Sequence, residues 1–477
     1  MNKLHTYISA LILGCALTTG CDSLLDTKSK DLLPVELVKT EAGCESMLLG
    51  VYDLMQKVSY YGRDLVAIPE VLADNVKLSP VATRYKDIAD NKVGAHLDIW
   101  VESYEMITLL NEVMMYLDQL PESSKSKALK GEALTLRALC YMNLAITYGR
   151  EPHYLVNDFN LSVPLIKDAF FYQGGALGEE TYPKRATVGE IWNFIEEDLT
   201  SGFAFLDGSD GGLAPKRVGA LANKALQSRA YLFQEKWSEC VEAATYVIEK
   251  GNIVVSDGNY SRVFSENRES IFYLFYTAAE ALGSSSLHST FGMSDSSLDD
   301  EGFDIAKGSG DGTFTIAEDL MALYDQENDT RFAAFKKAKI NGTKVWWSRK
   351  YNSWQGEFGQ DNIPVIRISE IVLNRAEAYA QLKQFNAARA DVDMLRVKRG
   401  IGETNASDNT LLSEVLLQRR LELAFEGFRF FDLKRRGQAI TKPDGKPSIP
   451  YTDFRVVSKI SDVQMDANPN LVNNPGY

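Results

Sequence analysis

The side chains that could do chemistry in this chain are few, and their spacing excludes most reactions. Beyond the N-terminal segment the histidines are His96, His153 and His288, and none belongs to an HExxH zinc pattern. No G-x-S-x-G nucleophile turn is present, and no Gly-rich phosphate loop precedes a helix. Glycoside hydrolysis needs only two carboxylates at the right separation. The best-placed pair, Glu422 and Glu426, stands four apart beside Arg419, Arg420 and Arg429. Such charges at helical spacing read as a network locking a helix in place, and Glu370, Arg375 and Glu377 read the same way. No enzymatic activity and no cofactor are therefore expected. The acidic run Asp295, Asp299, Asp300, Glu301 and Asp304 has oxygens enough for calcium, but Gly302 is misplaced for an EF-hand loop. It reads as a solvated loop, with no metal. What remains is aromatic. Residues 346–358, WWSRKYNSWQGEF, interleave rings with amides and charges. Rings offer faces to the C–H groups of a sugar, and the neighbouring polar side chains can serve its hydroxyls. Trp347, Lys350 and Tyr351 alternate as in a strand and read as structural. Trp354, beside Asn352 and Gln355 and just before Gly356, reads as loop-borne and is the better ligand platform.

These residues need a body to hold them, and the first 21 residues say where that body sits. Lys3 is followed by an uncharged, mostly apolar run from Thr6 to Leu17, then by Thr18, Thr19, Gly20 and Cys21. A basic start, a short apolar stretch and small residues form an export signal, too short to span a bilayer. A cysteine directly after it resembles the acylation site of a bacterial lipoprotein, with plain secretion as the alternative. Residues 1–20 are then the signal, Cys21 the lipid anchor, and 22–40 a polar tether. Cys44, Cys140 and Cys240 are too scattered for a disulfide framework or a zinc site, and the latter two read as small core residues. A net charge of −14 argues against nucleic acid as a partner.

Apolar residues at helical spacing predict helices over 41–57, 99–120, 126–148 and 187–206, and two more within 216–250. Two windows repeat. Tyr231 is followed by Cys240 nine residues on, and Tyr379, after Ala376, by Ala388 nine residues on. Small, aromatic and small residues at these offsets match tetratricopeptide-like helix pairs. Ala138 and Tyr141 begin a third copy, whose second helix is postponed to Thr187. Between 251 and 364 the pattern changes to short β-prone runs (Ile253–Val255, Ile271–Tyr276, Lys344–Trp347, Pro364–Ile368) separated by Gly-, Ser- and Asp-rich loops. The expected fold is mostly α: a helical-repeat scaffold over about 41–250 and 365–435, carrying a loop-rich, short-stranded insertion.

The segment 411–437, LLSEVLLQRRLELAFEGFRFFDLKRRG, resembles the closing signature of the SusD/RagB-like outer-membrane lipoproteins of Bacteroidetes. Ile366-Arg367-Ile368-Ser369-Glu370 with Asn374-Arg375-Ala376-Glu377-Ala378 is similar to that family's repeat-helix motif, and Leu136-Arg137-Ala138-Leu139-Cys140-Tyr141 to an earlier one. Pro183-Lys184-Arg185-Ala186-Thr187-Val188 and Asp329-Thr330-Arg331 also fit. The resemblance runs from the signal to the C-terminus. It implies a surface lipoprotein of the outer membrane that captures oligosaccharide and delivers it to a SusC-like TonB-dependent transporter. A peptide-binding RagB-like protein and a structural transporter lid without ligand affinity are the alternatives. It also implies ligand contacts from the loop after the first helix and from the long insertion, here 60–98 and 283–313. Those supply Tyr60, Tyr61, Asp74, Asn75, Arg84 and Tyr85, then Phe291 and Phe303. The candidate ligand set is Trp354, Tyr85, Arg84, Asn75, Asp74, Tyr61 and Phe291. Trp100 and Tyr104, four apart on a helix, are expected in the core.

Overall fold

The structure, a computed structural model, describes residues 35–80, 82–169, 182–207, 215–292, 312–340 and 343–477. The signal, Cys21, most of the tether, Phe303 and the acidic run 295–304 lie outside the described residues.

The helical periodicity is met closely. α1 (Glu41–Met55) buries Cys44, Leu48, Val51, Tyr52 and Met55, and the Thr40 hydroxyl caps it by accepting from the Gly43 amide. After it comes α2 (Asp64–Leu72), within a stretch that sequence reading treats as loop. Its interior Pro69 removes the N–H that would close on Leu65, which obscures the helical signal. A short strand, β1 (Val76–Leu78), precedes α3 (Trp100–Leu117) and α4 (Ser124–Tyr148). From Gly131 to Tyr148 α4 is buried on every side, so it shows no polar stripe and acts as the central post. The strands β2 (Leu161–Pro164) and β3 (Arg185–Thr187) pair antiparallel and lead into α5 (Val188–Leu206), which Thr187 and Glu190 close with a capping box.

The predicted repeat pairs are present. α6 (Ala220–Phe233) and α7 (Trp237–Lys250) form one, and α8 (Ile368–Gln381) and α9 (Phe385–Lys398) another. Cys240 and Ala388 are fully buried. The Cys240 thiol donates to the Ser228 carbonyl at 3.4 Å and the Asn374 carbonyl at 3.7 Å, so a small residue lets α7 lie against both α6 and α8. Ala138 and Tyr141 are likewise internal, and Tyr141 meets Phe194 of α5 edge-on at 5.4 Å. Burial raises the Cys140 and Cys240 thiols to about 12, which makes them inert.

The insertion contributes two-stranded ribbons. β4 (Ser270–Leu274) pairs with β8 (Ile363–Arg367), β5 (Phe314–Ile316) pairs with β1, and β6 (Phe335–Ile340) forms a hairpin with β7 (Thr343–Ser348). The expected strand at Ile253–Val255 is irregular instead. Val254 is 72% exposed, and just past the run the Ser256 amide donates to the Glu269 carboxylate rather than to a neighbouring strand.

The C-terminal signature closes the molecule. α10 (Asp408–Leu423) ends before Glu426, because Phe425 (φ +68°) and Gly427 (φ +84°) turn the chain. Its buried residues are Leu411, Val415, Gln418, Arg419, Leu421, Glu422 and Leu423. Glu422 receives Arg367 at 2.7 Å and Arg399 at 2.7 and 2.9 Å, with Arg331 at 3.5 Å. Glu426 binds Arg367 and Lys350, and Asp432 joins Arg419 to Arg435, which grips Glu377 with two bonds of 2.7 Å. This is the charge network expected from the motif.

The network has a pH signature. Burial alone would push Glu422 up; Arg399, Arg367 and Arg331 outweigh it and hold the carboxyl well below its ordinary range. Glu426, Asp432 and Asp74 are lowered too, burial again being overcome by their arginine and lysine partners. Groups lowered in the fold stabilise it above the unfolded carboxylate range, near about 4, and lose that contribution as pH falls through their folded values. Glu70, Glu112, Asp198, Asp361 and Asp391, raised chiefly by burial, act in the opposite sense and reduce the decline without belonging to the arginine cluster around Glu422. Urea unfolding at stepped pH is therefore expected to show stability declining from about pH 5 downward. A flat profile would mean that these carboxylates are not ionised in the fold.

Candidate functional site

Residues 349–362, between β7 and β8, form a loop stitched to itself. The carboxylate of Asp361 accepts the amides of Asn352 (3.1 Å), Ser353 (3.0 Å) and Trp354 (2.9 Å), and Gln355 donates its amide to the Gln360 carbonyl. Burial pushes Asp361 up, and those three amides oppose the shift. Trp354 is half-buried, and its indole N–H donates to the Lys350 carbonyl at 2.9 Å, which fixes the ring. At the tip Phe358 is 39% exposed and meets His288 edge-on at 5.6 Å.

Two further segments seat against that loop. The Ser353 hydroxyl contacts His288 Nδ1 at 2.5 Å and accepts the Gly359 amide at 2.8 Å. Gly359 has φ +77°, and a Cβ there would lie 2.5 Å from the Gly283 nitrogen, so only glycine permits the approach. Arg84 reaches the same place from the other side, donating to the Ser284 carbonyl at 3.4 Å and the Thr313 hydroxyl at 3.3 Å. Tyr85 follows at φ +64°, its hydroxyl donating to Asp64 at 2.7 Å and its ring against Phe314 at 5.3 Å. Burial, then the Asp64 charge, raises the Tyr85 phenol, so it stays a neutral donor. Segments 84–85, 283–291, 313–314 and 353–361 are thus linked by direct contacts, and Trp354, Arg84 and Tyr85 are each half-exposed.

The other four candidates are internal, and as a surface ligand set the list contracts accordingly. Tyr61 is buried beside Tyr60 and receives the Asn143 amide at 3.3 Å. Phe291 is buried among Phe314, Tyr351 and Phe425. Asp74 is held by Arg429 at 2.6 and 2.9 Å, and Asn75 bridges Glu70 and Arg420. The arginines that meet Asp74 and Asn75 stand 355 and 345 residues further along the chain, so no local pattern announces them. Trp347, Lys350 and Tyr351 are buried, as their alternation implied, and so is Trp100, with Tyr104 half-buried against it.

Sequence reading missed a cleft of about 580 Å³ bordered by Leu49, Asp53, Gln56, Lys216, Phe275 and Glu280. Phe275 is 39% exposed, with the Lys216 ammonium 3.6 Å from its ring centroid. Its signal was hidden inside the apolar run 271–276, where alternation does not show which ring faces outward. Segment 276–282 joins this cleft to the Trp354 loop, since Tyr276 takes its amide to Asn362 and Leu282 its amide to Gly359. Among the described residues no group of three His, Cys, Asp or Glu side chains could hold a metal ion.

Two family models match the chain. One, described as the SusD family, covers residues 311–477; the other, described as starch-binding associating with outer membrane, covers 23–233. The chain belongs to the SusD/RagB-like family. Among curated relatives, SusD-like protein P2 of Formosa agariphila is 23% identical over 508 aligned positions, covering 96% of this chain and 97% of the relative. A SusD superfamily protein from Bacteroides thetaiotaomicron superposes with a TM-score of 0.78 at 24% identity, covering 91% of this chain and all of that one. A SusD-like carbohydrate binding protein from Bacteroides vulgatus gives 0.73 at 21% identity, covering 91% and 97%. At such identities the solved structures speak for the SusD fold. The matched C-terminal model contains the Trp354 loop and the charge network, and the N-terminal one contains Arg84 and Tyr85. In this SusD-like protein the family description points to the outer membrane, and no described helix is long and apolar enough to cross one.

Proposed function

We propose that this chain is a non-catalytic, lipid-anchored surface protein that binds oligosaccharide and delivers it to a SusC-like TonB-dependent transporter. The convergence of the Trp354 loop with Arg84 and Tyr85 carries this reading. The loop supplies a fixed ring, and the segment linked to it through 283–291 supplies a guanidinium and a phenol, the groups that the C–H face and hydroxyls of a sugar require. The description of the N-terminal family model and the carbohydrate-binding neighbour support the same ligand class. Cys21 would hold the acyl chains and residues 22–40 the tether; fractionation of Cys21→Ser with soluble rather than membrane material tests the anchor.

Calorimetry of the full chain against a panel of plant, host and microbial oligosaccharides tests the ligand. Trp354→Ala is expected to weaken the glycan that binds by about tenfold, roughly 1.4 kcal/mol, without a loss of folded protein. Peptide-only binding would favour the RagB-like reading. No binding to either class would leave a transporter lid, and released reducing sugar would replace all three readings with an enzyme.

A further inference from the structure

Three cavities differ in charge. The cleft of about 580 Å³ has Lys216 and Arg217 against Asp53 and Glu280, and a second, of about 330 Å³, has Arg150 against Asp453. Both are balanced. A third, of about 120 Å³, is lined by Lys77, Lys442 and Lys446 against Asp444 alone.

Lys442 is the informative member. Its ammonium donates to the carbonyls of Val71 (3.1 Å) and Leu72 (2.9 Å) at the end of α2, and no carboxylate among the described residues pairs with it. An ammonium has three donors, so two carbonyls leave one. Burial, then the Lys446 charge, lowers Lys442 to about 8, with Asp74 and Asp90 pulling weakly the other way. Lys77 pairs with Asp444 at 3.1 Å and Lys446 with Asp90 at 3.4 Å, but both carboxylates are more than half exposed. Exposed pairs of this kind contribute little and exchange readily.

We propose that this pocket binds one oxyanion, a sulfate, phosphate or carboxylate group, between Lys77, Lys442 and Lys446. Its volume is that of about four waters, far below the roughly 300 Å³ of sites for larger ligands. It therefore takes an ion or a charged substituent, not a sugar ring. The pocket shares backbone with the Tyr85 segment. Lys77 lies on β1, whose partner β5 carries the Phe314 that packs on Tyr85, and the short helix Lys86–Ala89 runs from Tyr85 to Ala89 on the pocket wall. The oxyanion can thus come from free solution or from an acidic group on a bound glycan, and only the second source rests on the glycan reading.

Calorimetry of the full chain with inorganic sulfate, at constant ionic strength, tests the pocket. Saturable binding is expected, weakened severalfold in Lys446→Gln and in Lys77→Gln and by tenfold or more in Lys442→Met. If Lys442→Met does not fold, the Lys77 and Lys446 variants decide. Absence of saturable binding at millimolar sulfate, or affinity unchanged in both the Lys77 and the Lys446 variant, overturns the proposal. Matched sulfated and neutral oligosaccharides then separate the sources. A preference for the sulfated sugar that Lys446→Gln removes assigns the oxyanion to the glycan. Sulfate binding with no such preference assigns it to the free ion. If no glycan binds at all, the sulfate result stands by itself.

Discussion

Replacing Glu422 by Gln is expected to lower the unfolding free energy by about 3–5 kcal/mol, the cost of leaving buried cations short of a partner. The arithmetic of the cluster explains why. Arg331, Arg367, Arg399 and Lys350 face Asp329, Glu269, Glu422 and Glu426, all nearly inaccessible to water. Four positive charges balance four negative ones, and Glu422 alone touches three of the arginines. Gln keeps the shape and loses the charge, so Arg367 and Arg399 would have to lean on Glu269, already bound to both at 3.0 and 2.8 Å. Urea denaturation of the variant at neutral pH measures the loss. A change below about 1 kcal/mol would show that Glu269 suffices and that Glu422 is dispensable.

The second large effect is expected at Gly427. With φ +84° it stands where other residues are strained, and a Cβ would lie 2.8 Å from the Leu65 carbonyl oxygen and 3.1 Å from Val66 Cα. Both are backbone of α2, which cannot swing aside. The Gly427 amide also donates to buried Glu70 at 3.1 Å, so any retreat breaks that bond. Gly427→Ala is expected to cost about 3 kcal/mol, combining left-handed strain with overpacking. Thermal unfolding should detect it as a clear drop in midpoint. Equal midpoints for variant and parent would mean that the turn is loose enough to absorb a methyl group.

The helices could be read from the sequence because each buries a stripe whose period is local. Cys240 and Ala388 were legible for the same reason, since a close helix pair demands a small residue at a fixed offset. α2 was not, because Pro69 and the polar flanks at Arg63, Asp64, Asp74 and Asn75 imitate a loop. The candidate site divides along the same line. Trp354 sits among Gly, Ser and Asn, and that local chemistry places it on a loop. Asp74 carries no local hint that Arg429 will meet it, nor does Phe291 that Phe425 will cover it. Long-range pairing decides those positions, and a single sequence does not display it.

The stitching of the last residues to the first gives the chain an order of events in time. Stacked helix pairs ordinarily fold piece by piece, each on its neighbour. Here Glu70 receives its amide from Gly427, Asp74 its guanidinium from Arg429, and Glu151 its ammonium from Lys434. Arg150 reaches the carbonyls of Tyr451 and Asp453, and Arg185 those of Val472 and the amide oxygen of Asn474. During synthesis, which runs from the other end, these early groups must wait for partners not yet made. A chain cut short before residue 427 is thus an unfinished protein rather than a smaller one, and maturation becomes a single late event set by the arrival of the final segment.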